Sequence, residues 1–157
     1  MRTIIITLLL SLSVAGCVGQ PSYGNFTDRK SHIDQQKIAE DAVDQLVTLY
    51  PPAHTRLQIK QPTPDVFGQA LTRQLRQHGY ALIEFNRKAD KSRRQQSDKQ
   101  ALQNNNSHIE PLHYVFDRFV DTELYRVTLF LGSQSLTRAY SKEKGKTVAA
   151  GHWVHRK

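Results

Sequence analysis

Cys17 is the only cysteine among the 157 residues. No disulfide can form within the chain, so whatever fold it adopts has to be held by a hydrophobic core. Hydrophobic residues make up 38% of the sequence, which allows a modest core. The position of Cys17 is as informative as its solitude. Arg2 precedes an apolar run from Ile4 to Leu12, and the small residues Ala15 and Gly16 lead directly into the cysteine. A short cationic start, an apolar stretch and a small-residue cut site are the layout of a secretory leader. The stretch is too short for a membrane span, which takes about 20 residues.

Val14-Ala15-Gly16-Cys17 resembles the bacterial lipobox, in which the cysteine sulfur is diacylated, the leader is cut before it and the new amino terminus is acylated. An ordinary cleaved leader with an incidental cysteine is the weaker reading, because a free thiol in an exported protein is a liability that a thioether removes. Each buried CH₂ contributes about 0.8 kcal/mol, so one acyl chain holds a protein marginally and three hold it firmly. Val18 is not the aspartate expected to retain a lipoprotein at the inner membrane. The expected address is therefore the outer membrane, with the domain facing the periplasm. The divisions are a leader at 1–16, the acylated cysteine and a flexible tether at 17–33, and a domain at 34–157. The lipid on Cys17 is the only non-protein group expected, with no cofactor and no metal. The formal charge of +8 includes Arg2, which leaves with the leader, and the remaining excess favours anionic partners.

Residues 18–30 are rich in Gly, Ser, Asn, Gln and Pro with no apolar period and read as the tether. Ser31 and Asp34 have the spacing of a helix start, and Ile38, Ala42, Leu46 and Leu49 continue it as one stripe until Pro51 and Pro52 end it at Tyr50. Arg56 to Lys60 alternates with period two and predicts a short strand. Thr63, Pro64 and Asp65 start a second helix whose buried stripe is Val66, Phe67, Ala70, Leu71 and Leu75, and Gly79 stops it. Tyr80 to Phe85 reads as a buried strand.

Between 86 and 110 the composition turns to Lys, Arg, Gln, Asn and Ser, which predicts a disordered basic insertion. Four strand-like runs follow it: Leu112–Phe116, Leu124–Leu131, Ser135–Tyr140 and Val148–Val154, separated by turns at Asp121-Thr122, Gly132-Ser133 and around Gly145. Successive strands joined by short turns imply an antiparallel meander. The fold class is α+β, a two-layer, mostly antiparallel sheet with two helices on one face.

No arrangement in the sequence points to an enzyme. His152 and His155 are three apart, which on a strand sends them to opposite faces. His113 and Asp117 share a strand face without a nucleophile beside them. Gly145-Lys146-Thr147 lacks the glycine that a phosphate-binding loop needs at position 140, where Tyr140 stands. Glu40 and Asp41 read as solubilising charges on a wet helix face. In the insertion, Arg87, Lys88, Lys91, Arg93, Arg94 and Lys99 form a candidate contact with an anionic surface, worth at most about 1 kcal/mol per residue near a membrane. No aromatic residue interleaves them, so a stacking platform for single strands is not expected, nor is direct binding of nucleic acid.

Several segments in order resemble the TrbH-type conjugal transfer lipoproteins. In the first half they are Asp41-Ala42-Val43-Asp44-Gln45-Leu46, Leu49-Tyr50-Pro51-Pro52, Gln61-Pro62-Thr63-Pro64-Asp65, Phe67-Gly68 and His78-Gly79-Tyr80-Ala81. In the second half they are Leu124-Tyr125-Arg126-Val127-Thr128-Leu129, Gln134 to Tyr140 and Gly151-His152-Trp153-Val154. The resemblance implies an outer-membrane lipoprotein that helps build or anchor the channel for mating-pair formation, a branch of type IV secretion. Its implied partners are other core-complex proteins of the channel and outer-membrane lipid, and self-association is compatible with it. Only Cys17 transfers as a functional position. The insertion at 86–110 is outside the pattern, so its properties rest on charge alone. Two other readings remain open: a periplasmic lipoprotein that binds an anionic polymer, cell wall or DNA, through the basic loop, and a surface-exclusion lipoprotein.

Overall fold

The computed structural model describes residues 22–28, 31–87 and 109–157. In chain order they form β1 (Gly24–Asn25), α1 (Gln35–Leu49), β2 (Arg56–Ile59), α2 (Val66–Gln77), β3 (Ala81–Ile83), β4 (Ile109–Arg118), β5 (Tyr125–Leu131), β6 (Gln134–Glu143), β7 (Lys146–Ala149) and β8 (Val154–Arg156). This is the expected α+β class.

One eight-stranded sheet has the order β3-β2-β4-β5-β6-β7, with β1 added on β4 and β8 on β6. From β4 to β7 it is the antiparallel meander that the short turns predict. The pairings of β2 with β3, β2 with β4 and β1 with β4 are parallel. Parallel neighbours need a crossover, and α2 supplies the one between β2 and β3. Each long strand carries two short ones along one edge. β4 pairs first with β2 at 109–112 and then with β1 at 115–116, while β6 pairs first with β8 and then with β7.

The core follows from the period of two. Leu112, Tyr114 and Phe116 on β4, alternate residues of β5 from Tyr125 to Leu131, and Leu136 and Tyr140 on β6 are buried. They share one cluster with Ile38, Ala42 and Leu46 of α1 and with Phe67, Leu71 and Leu75 of α2. Phe67 stacks on Phe116 at a centroid separation of 5.2 Å and meets Tyr114 edge-on at 5.1 Å.

Local details depart from the sequence reading in instructive ways. Asp34, not Ser31, caps α1, accepting from the backbone N–H of Gln36 and Lys37 at 3.1 and 3.0 Å. Asp65, not Thr63, caps α2 and accepts from Gly68 N–H. An Asp side chain at either cap satisfies orphan amides and also suits the positive helix end. Val66, expected in the buried stripe, is exposed, because the first residue of the helix lies at the rim of its packed face. Gly79 does adopt the left-handed conformation, φ +85°. Tyr80 is buried, but the strand after it is only Ala81–Ile83, half-exposed at the sheet edge. Ile109 and Glu110, counted with the insertion, instead begin β4, because β2 offers them partners at Arg56 and Leu57. The run Val148–Val154 is not one strand: β7 ends at Ala149, and β8 starts at Val154 against the other half of β6.

Candidate functional site

Residues 22–28 fall in the stretch that reads as a flexible tether, yet they are fixed to the domain. Composition misled here because the contacts that hold the segment to the sheet and to Asp65 come from residues far along the chain. β1 lies parallel to β4, Gly24 beside Val115 and Asn25 beside Phe116, and Phe26 N–H donates to Phe116 O at 2.7 Å. Tyr23 stacks on His113 with centroids 4.0 Å apart and meets Phe130 edge-on at 5.5 Å. Asn25 Nδ2 donates to Gln35 Oε1 at 3.0 Å and to Asp65 Oδ1 at 3.1 Å. Its own Oδ1 accepts from the Thr27 backbone N–H and hydroxyl, which closes a turn of the kind short polar side chains make. A cavity of about 580 Å³ adjoins this junction, lined by Asn25, Gln35, Asp65 and Val66 among others.

Asp65 is the hub of that junction. Besides capping α2 it accepts from the Tyr114 hydroxyl at 2.5 Å. Burial, then the hydrogen bond to Asp65 and its charge, push the Tyr114 phenol far above its ordinary value, so it stays a donor. Gly68 makes the approach feasible, since a Cβ there would collide with the Tyr114 hydroxyl. Glycine inside a helix costs up to about 1 kcal/mol relative to alanine, and here it opens the space that Tyr114 needs. Gln61 completes the brace, donating to Tyr114 O and accepting from Tyr114 N–H at 3.2 and 3.0 Å.

A second aspartate makes a parallel contact. Asp41, expected as a solvated charge, accepts from the Tyr140 hydroxyl at 2.5 Å and from Arg138 Nη1 at 2.9 and 3.1 Å. It sits on the half-buried flank of α1, where β6 brings those two donors within reach. Burial, the Asp41 hydrogen bond and its charge raise the Tyr140 phenol well above normal, with Arg138 opposing. Near it the α1 cap is tied to β7: Asp34 N–H donates to Thr147 Oγ1 at 2.8 Å and Lys37 Nζ to Thr147 O at 3.1 Å. Gly145 and Lys146 beside Thr147 belong to a hairpin in which Lys144 and Gly145 take positive φ.

The other residues singled out by sequence separate clearly. Cys17, Lys88, Lys91, Arg93, Arg94 and Lys99 lie outside the described residues, and Arg87, exposed, is the last residue described before the insertion. Asp117 pairs bidentately with Arg126 across the ladder, at 3.1 and 2.5 Å, rather than with His113. Burial, helped by the charge of Lys60, lowers the His113 pKa. His155 contacts Gln134 Oε1 at 2.6 Å on β8, whereas His152 precedes that strand. Among the described residues no group of three or more His, Cys, Asp or Glu is arranged to hold a metal ion, and no helix is long and apolar enough to cross a membrane.

Sequence reasoning missed the Asp65 junction. The signal was present in Phe67-Gly68, a glycine on the buried side of a helix, which implies a close neighbour.

A family model described as "Conjugal transfer protein TrbH" matches residues 20–157. No curated protein and no solved structure matches the chain. The match spans most of the sequence, and the chain belongs to the TrbH family of conjugal transfer proteins.

Proposed function

We propose that the protein is an outer-membrane lipoprotein, acylated at Cys17, that serves as a structural assembly component of the channel for plasmid conjugation. Its role in conjugal transfer follows from the family. The observation that carries the finer reading is the continuity from Cys17 to the fold. Only residues 18–21 separate the lipobox-like cysteine from a segment clamped to β4 and to Asp65. A clamped segment at 22–28 makes the domain a fixed attachment rather than a module on a long leash, which suits a part that positions other subunits. In this reading the protein works by location and contact. Its partners are the core-complex proteins of the channel, and its domain faces the periplasm.

The test is Cys17→Ser in an otherwise complete transfer system. The substituted protein should leave the outer-membrane fraction, plasmid transfer should fall, and the wild-type protein should copurify with core-complex proteins after detergent extraction. A soluble Cys17→Ser protein that supports wild-type transfer would overturn anchoring as its function.

A further inference from the structure

The way the amino-terminal segment joins the sheet determines which surface a lipid anchor would bring to the bilayer. β1 and β2 lie along the same edge of β4, and β2 already occupies the place beside Leu112, where Lys60 N–H also donates to Leu112 O. β1 therefore cannot extend backwards within the sheet. Tyr23 marks the side on which the segment is rooted. Its ring rests on His113 and Phe130, which alternate with the buried Leu112, Tyr114, Leu129 and Leu131 and so belong to the opposite face, half-exposed and open among the described residues. Five steps of chain join Cys17 to Ser22, a span of at most about 18 Å when fully extended. Neighbouring strands are about 4.8 Å apart, so the row that runs across the strands from His113 through Phe130 and Ser135 to Arg156 lies within about one leash length of the root.

The chemistry of that face suits lipid headgroups. The ladder sets Asp117 beside Arg126 and Glu143 beside Lys146, so each acid on it has a base opposite. Arg56 on β2 and Arg156 on β8 add positive charge at its two sides, and both are exposed. Between them Thr128 and Thr137 hydrogen-bond to each other, Lys60 adds a positive charge near His113, and the remaining side chains of the described strands on this face are uncharged. A surface that is basic at its margins, neutral in the middle and aromatic at its root is attracted to anionic bilayers and tolerates the interfacial zone.

We propose that the open face of the sheet, rooted at Tyr23 and flanked by Arg56 and Arg156, lies against the anionic phospholipid surface. This inference rests on the acylation of Cys17 proposed above.

The experiment uses the acylated full-length protein extracted from envelopes and reconstituted into vesicles of phosphatidylethanolamine and phosphatidylglycerol that contain a spin-labelled lipid. Acylation blocks Cys17, so a fluorophore can be attached to single added cysteines. Arg56→Cys and Val154→Cys report on the two sides of the open face, and Glu40→Cys reports on α1. All three positions are exposed, which protects the fold. Quenching by the lipid should be severalfold stronger at 56 and 154 than at 40. Replacing phosphatidylglycerol with a neutral lipid should reduce that difference. Equal quenching at the three positions, or stronger quenching at 40, with the acyl mass present on Cys17, overturns the orientation and leaves the anchor intact. Absence of the acyl mass overturns the anchor and this inference with it.

Discussion

Two tyrosine–aspartate contacts fasten the helices to the sheet, and they differ in what else they hold. Asp41 on α1 receives the Tyr140 hydroxyl and the Arg138 guanidinium, so its charge meets an opposite one. Among the described residues, Asp65 at the start of α2 receives only neutral donors: the Tyr114 hydroxyl, the Gly68 amide and the Asn25 amide. The first contact is a brace within the fold. The second also takes hold of the segment that leads back to Cys17. A carboxylate satisfied by directed hydrogen bonds alone is geometrically demanding, because each donor has to come from a different part of the chain. Asp65 therefore works as a junction, and the segment 22–28 is one of its arms.

This difference predicts a ranked set of losses. Asp65→Ala removes a helix cap, worth about 1 kcal/mol, and leaves the Tyr114 hydroxyl without its acceptor, worth about 1 to 3 kcal/mol. Urea unfolding should register a loss of about 3 kcal/mol, the largest of the series. A loss under a few tenths would dissolve the distinction between the two contacts. Asp41→Ala should cost about 2 kcal/mol by orphaning Tyr140 and Arg138. The deficit should shrink in high salt, since both side chains of the ion pair remain partly exposed. An equal salt response in Asp65→Ala would contradict the assignment of neutral donors to that site.

Acid should act through His113, which carries the Tyr23 ring of the amino-terminal segment. The folded-state pKa of His113 lies below its ordinary value of 6.5 because of burial and the nearby Lys60 charge. Above 6.5 the imidazole is neutral in both states, and the stabilisation is fully present. As pH falls below 6.5 the unfolded chain takes up a proton that the folded chain refuses, and stability drops by up to about 1.4 kcal/mol per pH unit until the lowered pKa is reached. Melting temperatures between pH 7 and 5 should show this slope, and His113→Phe should flatten it. An unchanged slope in that variant would assign the acid sensitivity elsewhere.

The smallest global effect belongs to Asn25→Ala, about 1 kcal/mol or less. Its local effect should be the clearest, with faster amide exchange confined to residues 22–28 and the Asp41 brace unaltered. Uniform exchange across the domain would mean that the segment is not a separable arm of the junction.

Most of the element pattern was legible because it depends on near neighbours. The stripe Ile38, Ala42, Leu46 has helical spacing, and Tyr125 to Leu131 alternates, and both faces follow from such spacing alone. The Pro51-Pro52 stop and the Gly79 turn are equally local. The junctions were not legible, because they join residues far apart in sequence. Asn25 and Asp65 are 40 positions apart, and Asp41 and Tyr140 are 99 apart. Local composition made 22–28 look like tether, and only the free edge of β4 beyond β2 gives those residues a place. Asp41 read as a surface charge for the same reason, since its donors arrive from β6. Acylation at Cys17 was inferred entirely from the leader pattern, and the described residues begin five positions later.

The proposed anchor depends on the state of one sulfur, that of Cys17. Intact-mass analysis of the protein isolated from cell envelopes should find a chain that starts at position 17 and carries a diacylglyceryl thioether and an acylated amino group. A chain of that length with a free thiol, or one that keeps its first sixteen residues, would contradict it.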